Sequence, residues 1–167
     1  MAQLKRRSAR EEGFTLPEVL IVIVLMGIVF AIASSTWQRV VDDRNADSAA
    51  NQLLSDLRLA HTKATNQLSD WRVVHAEGSA DYQLVRVSDG AFINRSLPEN
   101  TRILVSEVNT SGGQSKLVFK PNGEASAENG FANPDGDGQI DIVVGAADGS
   151  PQRAISVVPA TSRVQVE

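Results

Sequence analysis

The stretch EEGFTLPEVL (residues 11–20) decides how the rest of the chain is read. It sets a carboxylate, Glu18, at the doorway of a long apolar run, and a proline, Pro17, where that run should be starting a helix. Residues 19–38, VLIVIVLMGIVFAIASSTWQ, carry no charge over twenty positions. A helix of that length reaches roughly 30 Å, the thickness of a bilayer's hydrocarbon core. The run reads as a membrane segment or a secretory signal. Neither ordinarily needs a proline and a glutamate at its entrance.

The flanks orient it. Lys5, Arg6, Arg7 and Arg10 precede the run, which keeps the N-terminus in the cytoplasm and sends the C-terminal bulk across. Four of the sixteen basic and two of the twenty acidic residues lie in the first thirteen, so the remainder carries a charge near −6. An acidic exported part is a poor general binder of nucleic acid, because phosphate attraction needs a basic surface. The 167 residues include no cysteine, which excludes disulfides, thiol redox chemistry, Cys-based metal sites and a lipoprotein anchor.

Beyond the run, residues 40–68 continue as an amphipathic helix. Ala46, Ala49, Leu53, Leu57, Ala60, Ala64 and Leu68 recur at three- and four-residue spacings, with Asp43, Asp47, Asp56, Arg58 and Lys63 largely off that stripe. No proline or glycine interrupts residues 28–68. One helix over about 14–68, roughly 80 Å long, is expected; the alternative is two helices broken near SSTW (34–37) by weak helix formers. Strand character follows in seven runs: WRVVHA (71–76), YQLVRV (82–87), TRILVSE (101–107), KLVFK (116–120), IDIVVGA (140–146), RAISVVP (153–159) and RVQV (163–166). Turn-forming stretches separate them, among them NTSGGQS (109–115), read as a long hairpin turn. The fold class is α+β, with seven to eight strands in an antiparallel sheet or small sandwich.

Three readings compete for the N-terminus. A secretory signal could be cut after AIA (31–33), leaving Ser34 as the new terminus, although the apolar core is long for a signal. A plain uncleaved anchor leaves Glu18 unexplained, since ionisable groups within a membrane are costly and have partners. Cleavage between Gly13 and Phe14 accounts for both odd residues. The first four N–H groups of a helix have no intrahelical acceptor, so Pro17, fourth in the trimmed chain, forfeits no hydrogen bond. Glu18 then brings negative charge to the positive end of the helix dipole and to a free amine, of its own chain or of a neighbour.

The basic leader, the run Gly13, Phe14, Thr15, Leu16, Pro17, Glu18 and the apolar stretch together resemble the class III signal of type IV pilins and pseudopilins. The resemblance implies a membrane-embedded prepilin peptidase that cuts after Gly13 and methylates Phe14. It also implies that Glu18 pairs with a neighbouring subunit's N-terminus during assembly. Residues 49–74, FKPNGEA (119–125) and the closing RAISVVPATSRVQVE (153–167) are similar to the general secretion pathway protein H and FimT/FimU group. Membership implies a long N-terminal helix packed on a β-sandwich. It divides the chain into a leader (1–13), a transmembrane stem (14–38), an amphipathic continuation (39–68) and a periplasmic β domain (69–167). The implied partners are other pilins or pseudopilins and an inner-membrane assembly platform. The implied role is a minor subunit of a type II secretion filament; a type IV pilus subunit and a Sec-exported or anchored binding domain are the alternatives. The group often ends in a glycine-arginine pair, whereas Ser162 precedes Arg163 here and the tail closes on Glu167. That departure, with the acidic charge, argues against the DNA-binding role of some minor pilins; Arg153 and Arg163 alone make few phosphate contacts.

The remaining motifs are weaker. NPDGDGQID (133–141) matches the start of an EF-hand-type calcium loop through Asn133, Asp135, Asp137 and Asp141, but Val144 replaces the bidentate glutamate. An acidic hairpin turn is the plain alternative, and calcium is the one cofactor the sequence suggests. His61 and His75 show no partner in the sequence, and His61 is expected to face solvent. No nucleophile elbow or phosphate-binding loop occurs, so no enzyme activity is expected. Trp37 falls at the outer end of the span, where an indole lies at the interface or against a subunit.

Overall fold

The computed structural model describes residues 14–131 and 136–166. The leader with Gly13, the loop positions Asn133 and Asp135, and Glu167 lie outside the described residues. The chain divides into a unit ending at Arg39 and a second running from Val40. A single helix, α1, spans Leu16–Gln67 and contributes to both. Its start differs from the expected Phe14. The Thr15 carbonyl accepts from the Glu18 and Val19 N–H groups at 3.0 and 3.2 Å, so Leu16 opens the helix and Pro17 is its second residue. No break occurs near SSTW. The Ser34 hydroxyl donates to the Ala31 carbonyl at 3.0 Å, keeping that polar group within the helix.

In the second unit the expected stripe is the buried face of α1, with one exception. Ala46, Ala49, Leu53, Leu57, Ala60 and Ala64 are 0–1% exposed, whereas Leu68 is 80% exposed. The helix ends one residue before it. Leu68 takes a left-handed φ of 48°, and the Ser69 N–H reaches back to the Ala64 carbonyl at 3.3 Å, the long bond of a Schellman cap. That reversal points Leu68 away from the core it was expected to join. Asp56, placed off the stripe by its spacing, is 6% exposed instead.

Ten strands follow among the described residues, all paired antiparallel: β1 Trp71–His75, β2 Asp81–Arg86, β3 Phe92–Ser96, β4 Thr101–Ser106, β5 Thr110–Ser111, β6 Gln114–Phe119, β7 Ala125–Ala127, β8 Ile140–Ala146, β9 Gln152–Val158 and β10 Arg163–Val166. The seven expected strands are all present within a residue or two at each end. β3, β5 and β7 are additional, which raises the count above the expected seven to eight. One sheet has the order β3-β2-β1-β6-β5, with β7 also paired to β6, and the other the order β10-β9-β8-β4. NTSGGQS is a tight hairpin: Ser111 pairs with Gln114 around Gly112 and Gly113, both at positive φ, as a two-residue turn matching strand twist requires.

Alternation puts one face of each sheet against the helix. Trp71, Val73, Tyr82, Leu84, Leu117 and Phe119 of the first sheet share a core cluster with Leu53, Leu57, Ala60 and Ala64. Ile103, Ile140, Ile142, Val144, Ile155, Val157 and Val164 bring in the second sheet. Each buried aliphatic side chain of this cluster contributes about 1.5–3 kcal/mol relative to exposure. A β-bulge between Ile103 and Val105 lets β4 keep Ile103 inward while Val105 turns outward, 54% exposed.

Candidate functional site

The first unit buries nothing against itself. Every described side chain from Phe14 to Ser34 is exposed, including Phe14 at 81%, Leu16 at 79% and Phe30 at 77%. Its 18-residue apolar window has mean hydropathy 2.7 and is 0% buried, long and apolar enough to cross a membrane. Soluble monomers rarely leave a contiguous apolar surface larger than a few hundred Å² uncovered. This surface is apolar all round, so it calls for lipid or other helices on every side.

At its head, Phe14 and Glu18 stand one turn apart. Pro17 occupies a position whose N–H would have no intrahelical acceptor, and Glu18 is the acidic residue of the first turn. The segment Thr15-Leu16-Pro17-Glu18 also has the S/T-x-x-E spacing of a capping box, a helix-start signal that places the first turn at Leu16. A carboxylate in a first turn gains about 0.3–1 kcal/mol from the dipole. Carrying a bare carboxylate into the centre of a bilayer costs about 2.5–3.5 kcal/mol on insertion scales. The dipole alone does not offset that cost. Trp37, further along, is 71% exposed.

The second unit holds its part of α1 in place with polar contacts that the sequence does not announce. Arg153 of β9 bonds Asp47 at 2.6 Å and lies 4.0 Å from Asp43, one turn earlier. Arg58 donates to the Val164 carbonyl of β10 at 2.8 Å. Asp56 accepts from the Tyr82 hydroxyl at 2.7 Å and from Arg95 Nε at 3.2 Å, while Gln52 Nε2 reaches the Ser96 carbonyl at 2.7 Å. Burial, reinforced by the Asp56 carboxylate, holds the Tyr82 phenol well above its ordinary range, so it stays a donor. Helix and both sheets are thereby registered to one another within this unit.

Of the calcium-motif residues, Asp137 and Asp141 are described. Asp137 accepts from the backbone N–H and the side-chain amide of Gln139, both at 2.8 Å. Asp141 lies in β8, with its N–H donating to Glu107 Oε2 at 3.0 Å. Among the described residues no group of three or more His, Cys, Asp or Glu is gathered for a metal. His61 is half-buried rather than solvent-facing, its ring centroid 6.1 Å from that of Phe119. His75 is buried and has a partner after all, Ser106 Oγ at 2.8 Å.

Comparison with known proteins bears on both units. Residues 8–34 match the family model of the prokaryotic N-terminal methylation motif. Residues 49–161, more than half of the chain, match the model of type II transport protein GspH. The fold is similar to that of the minor pseudopilin EpsH from the type 2 secretion system of Vibrio cholerae, with TM-score 0.54 and 12% identity over 74% of this chain and 96% of that one. No curated protein matches the chain.

Proposed function

The chain belongs to the GspH family of type II transport proteins, and from that premise we propose that it is a minor pseudopilin, added through its N-terminal helix to a short filament used in protein export. The observation that carries this reading is the pairing of a fully exposed apolar stem with a compact second unit, headed by Phe14 and Glu18 in the register of a methylation motif. The precursor inserts with its basic leader in the cytoplasm and its β domain outside. A prepilin peptidase removes residues 1–13 and methylates the Phe14 amine. The platform then lifts the subunit from lipid into a bundle of similar stems.

Glu18 does the chemical part of that transfer. Within the membrane its charge needs a counter-ion, and an N-terminal amine of a neighbouring stem supplies one at the same depth. The interaction forms only when stems align head to head, so it sets the axial register of the incoming subunit. The apolar surface supplies packing without direction, and the ion pair supplies direction.

The test has two arms. Sequencing the mature N-terminus is expected to return N-methylated Phe14; Ser34 or an intact Met1 contradicts the reading. Glu18→Ala is expected to leave membrane insertion and cleavage intact and to abolish recovery in sheared filaments. Normal incorporation of that variant removes the ion-pair mechanism.

A further inference from the structure

The outer face of the second sheet, turned away from α1, carries a row of oxygen-bearing side chains that the filament role does not use. Asp141 of β8 stands opposite Ser156 of β9, and Ser156 opposite Gln165 of β10. Glu107 continues the row beyond β4, with its N–H on the Asp141 carbonyl at 2.9 Å and its carboxylate on the Asp141 N–H at 3.0 Å. Ile140, Ile142, Ile155 and Val157 flank these positions and face the core, so alternation sends Asp141 and Ser156 to the same outer side.

Three buried oxygens in this corner have no hydrogen-bond partner: Asp141 Oδ1, Ser156 Oγ and Gln139 Oε1. Ser156 is only 1% exposed, and Gln139 is held by its amide nitrogen on Asp137, which leaves its oxygen over. A buried polar group without a partner costs about 1–3 kcal/mol, and native folds avoid such groups unless something fills the gap.

We propose that Glu107, Asp141, Ser156 and Gln139 form a site for a hard divalent cation, with calcium as the ion it fits. Every donor is oxygen, from two carboxylates, a hydroxyl and an amide, and the chain has no cysteine to favour a softer metal. Calcium accepts irregular sets of six to eight oxygens completed by water, whereas magnesium demands a near-ideal octahedron. The site uses Asp141 of the acidic motif but centres on the sheet face rather than on the loop. It stands independently of the filament reading, because it needs only the folded second unit.

The test uses the detergent-solubilised full chain with calcium chloride as the probe. About 5 mM calcium against a chelator is expected to raise the melting temperature by about 2–9 °C, for a dissociation constant on the order of 0.1–1 mM. Ser156→Ala is expected to melt no lower than the parent without calcium, since it removes an unpartnered hydroxyl, and to bind calcium several-fold more weakly. Asp141→Asn is expected to lose the response, and Asp137→Asn to keep it. No shift in the parent overturns the site, as does a full shift in Ser156→Ala. Loss of the shift in Asp137→Asn alone also overturns it, by moving the ion into the loop. If Asp141→Asn fails to fold, Ser156→Ala decides.

Discussion

His75 is a lone histidine in the sequence and a buried one in the fold, 3% exposed with Ser106 Oγ at 2.8 Å. Burial lowers its pKa from 6.5 to about 4, so the folded protein holds it neutral while the unfolded chain protonates it below 6.5. The unfolded state therefore binds the extra proton between those values. The stability contributed by neutral His75 is complete above pH 6.5 and declines as pH falls toward about 4. The loss amounts to roughly 2 kcal/mol by about pH 5. Chemical denaturation of the parent at pH 7 and pH 5 reads it, and His75→Gln is expected to flatten the dependence over that window. Asp56 gives a second expectation. Tyr82→Phe is expected to cost about 1 kcal/mol, and Asp56→Ala up to about 3, because the latter strands the Tyr82 hydroxyl and Arg95 together; urea melts of both variants check the order. Neither role is legible in sequence. Spacing marks Asp56 as off the apolar stripe, and only the paired strands β2 and β3, which set Tyr82 opposite Arg95 over that flank of the helix, turn it inward.

Element by element, what the sequence shows depends on how strongly a segment is buried. The seven strands with β-branched runs face the core on one side and are legible from that alternation. β3 escapes notice because Phe92–Ser96 is an edge strand, exposed apart from the half-buried Ile93, and its residues FINRS show no apolar alternation. β5 and β7 are two and three residues long, too short for any period to appear. The end of α1 is misread for a related reason: Leu68 fits the apolar spacing, but a Schellman cap ends the helix at Gln67. A left-handed leucine is strained where glycine is not, so Leu68→Gly is expected to stabilise by up to about 1 kcal/mol, read as a higher urea midpoint. Gly145 of β8 is the opposite case. A Cβ there meets the Pro151 carbonyl oxygen, with Leu104 Cδ1 at 3.0 Å and Gln152 Cα at 3.1 Å. Backbone cannot yield as a side-chain tip does, so Gly145→Ala is expected to cost about 1–3 kcal/mol in the same measurement.

At the level of the molecule, the core cluster lies wholly within the second unit, from Ala49 to Val164. A chain beginning at Val40 is therefore expected to fold without detergent and to melt in one cooperative transition; an uncooperative melt would show that the stem contributes to the core. The first unit has no fold of its own to lose, being one helix with its apolar side chains uncovered. By itself, the sequence determined the apolar stem, the methylation motif that places Phe14 and Glu18 at its head, and the α+β class. Those features rest on local chemistry: an uncharged run sets its own solvent, and a proline and a carboxylate have meaning by their distance from a helix end. Only the tertiary structure decided the two-sheet topology, the polar ties from Asp47, Asp56 and Arg58 to distant strands, and the row of oxygens at Asp141 and Ser156. Each of these depends on residues about fifteen to more than a hundred positions apart being brought to one place by strand register, a distance no local pattern encodes.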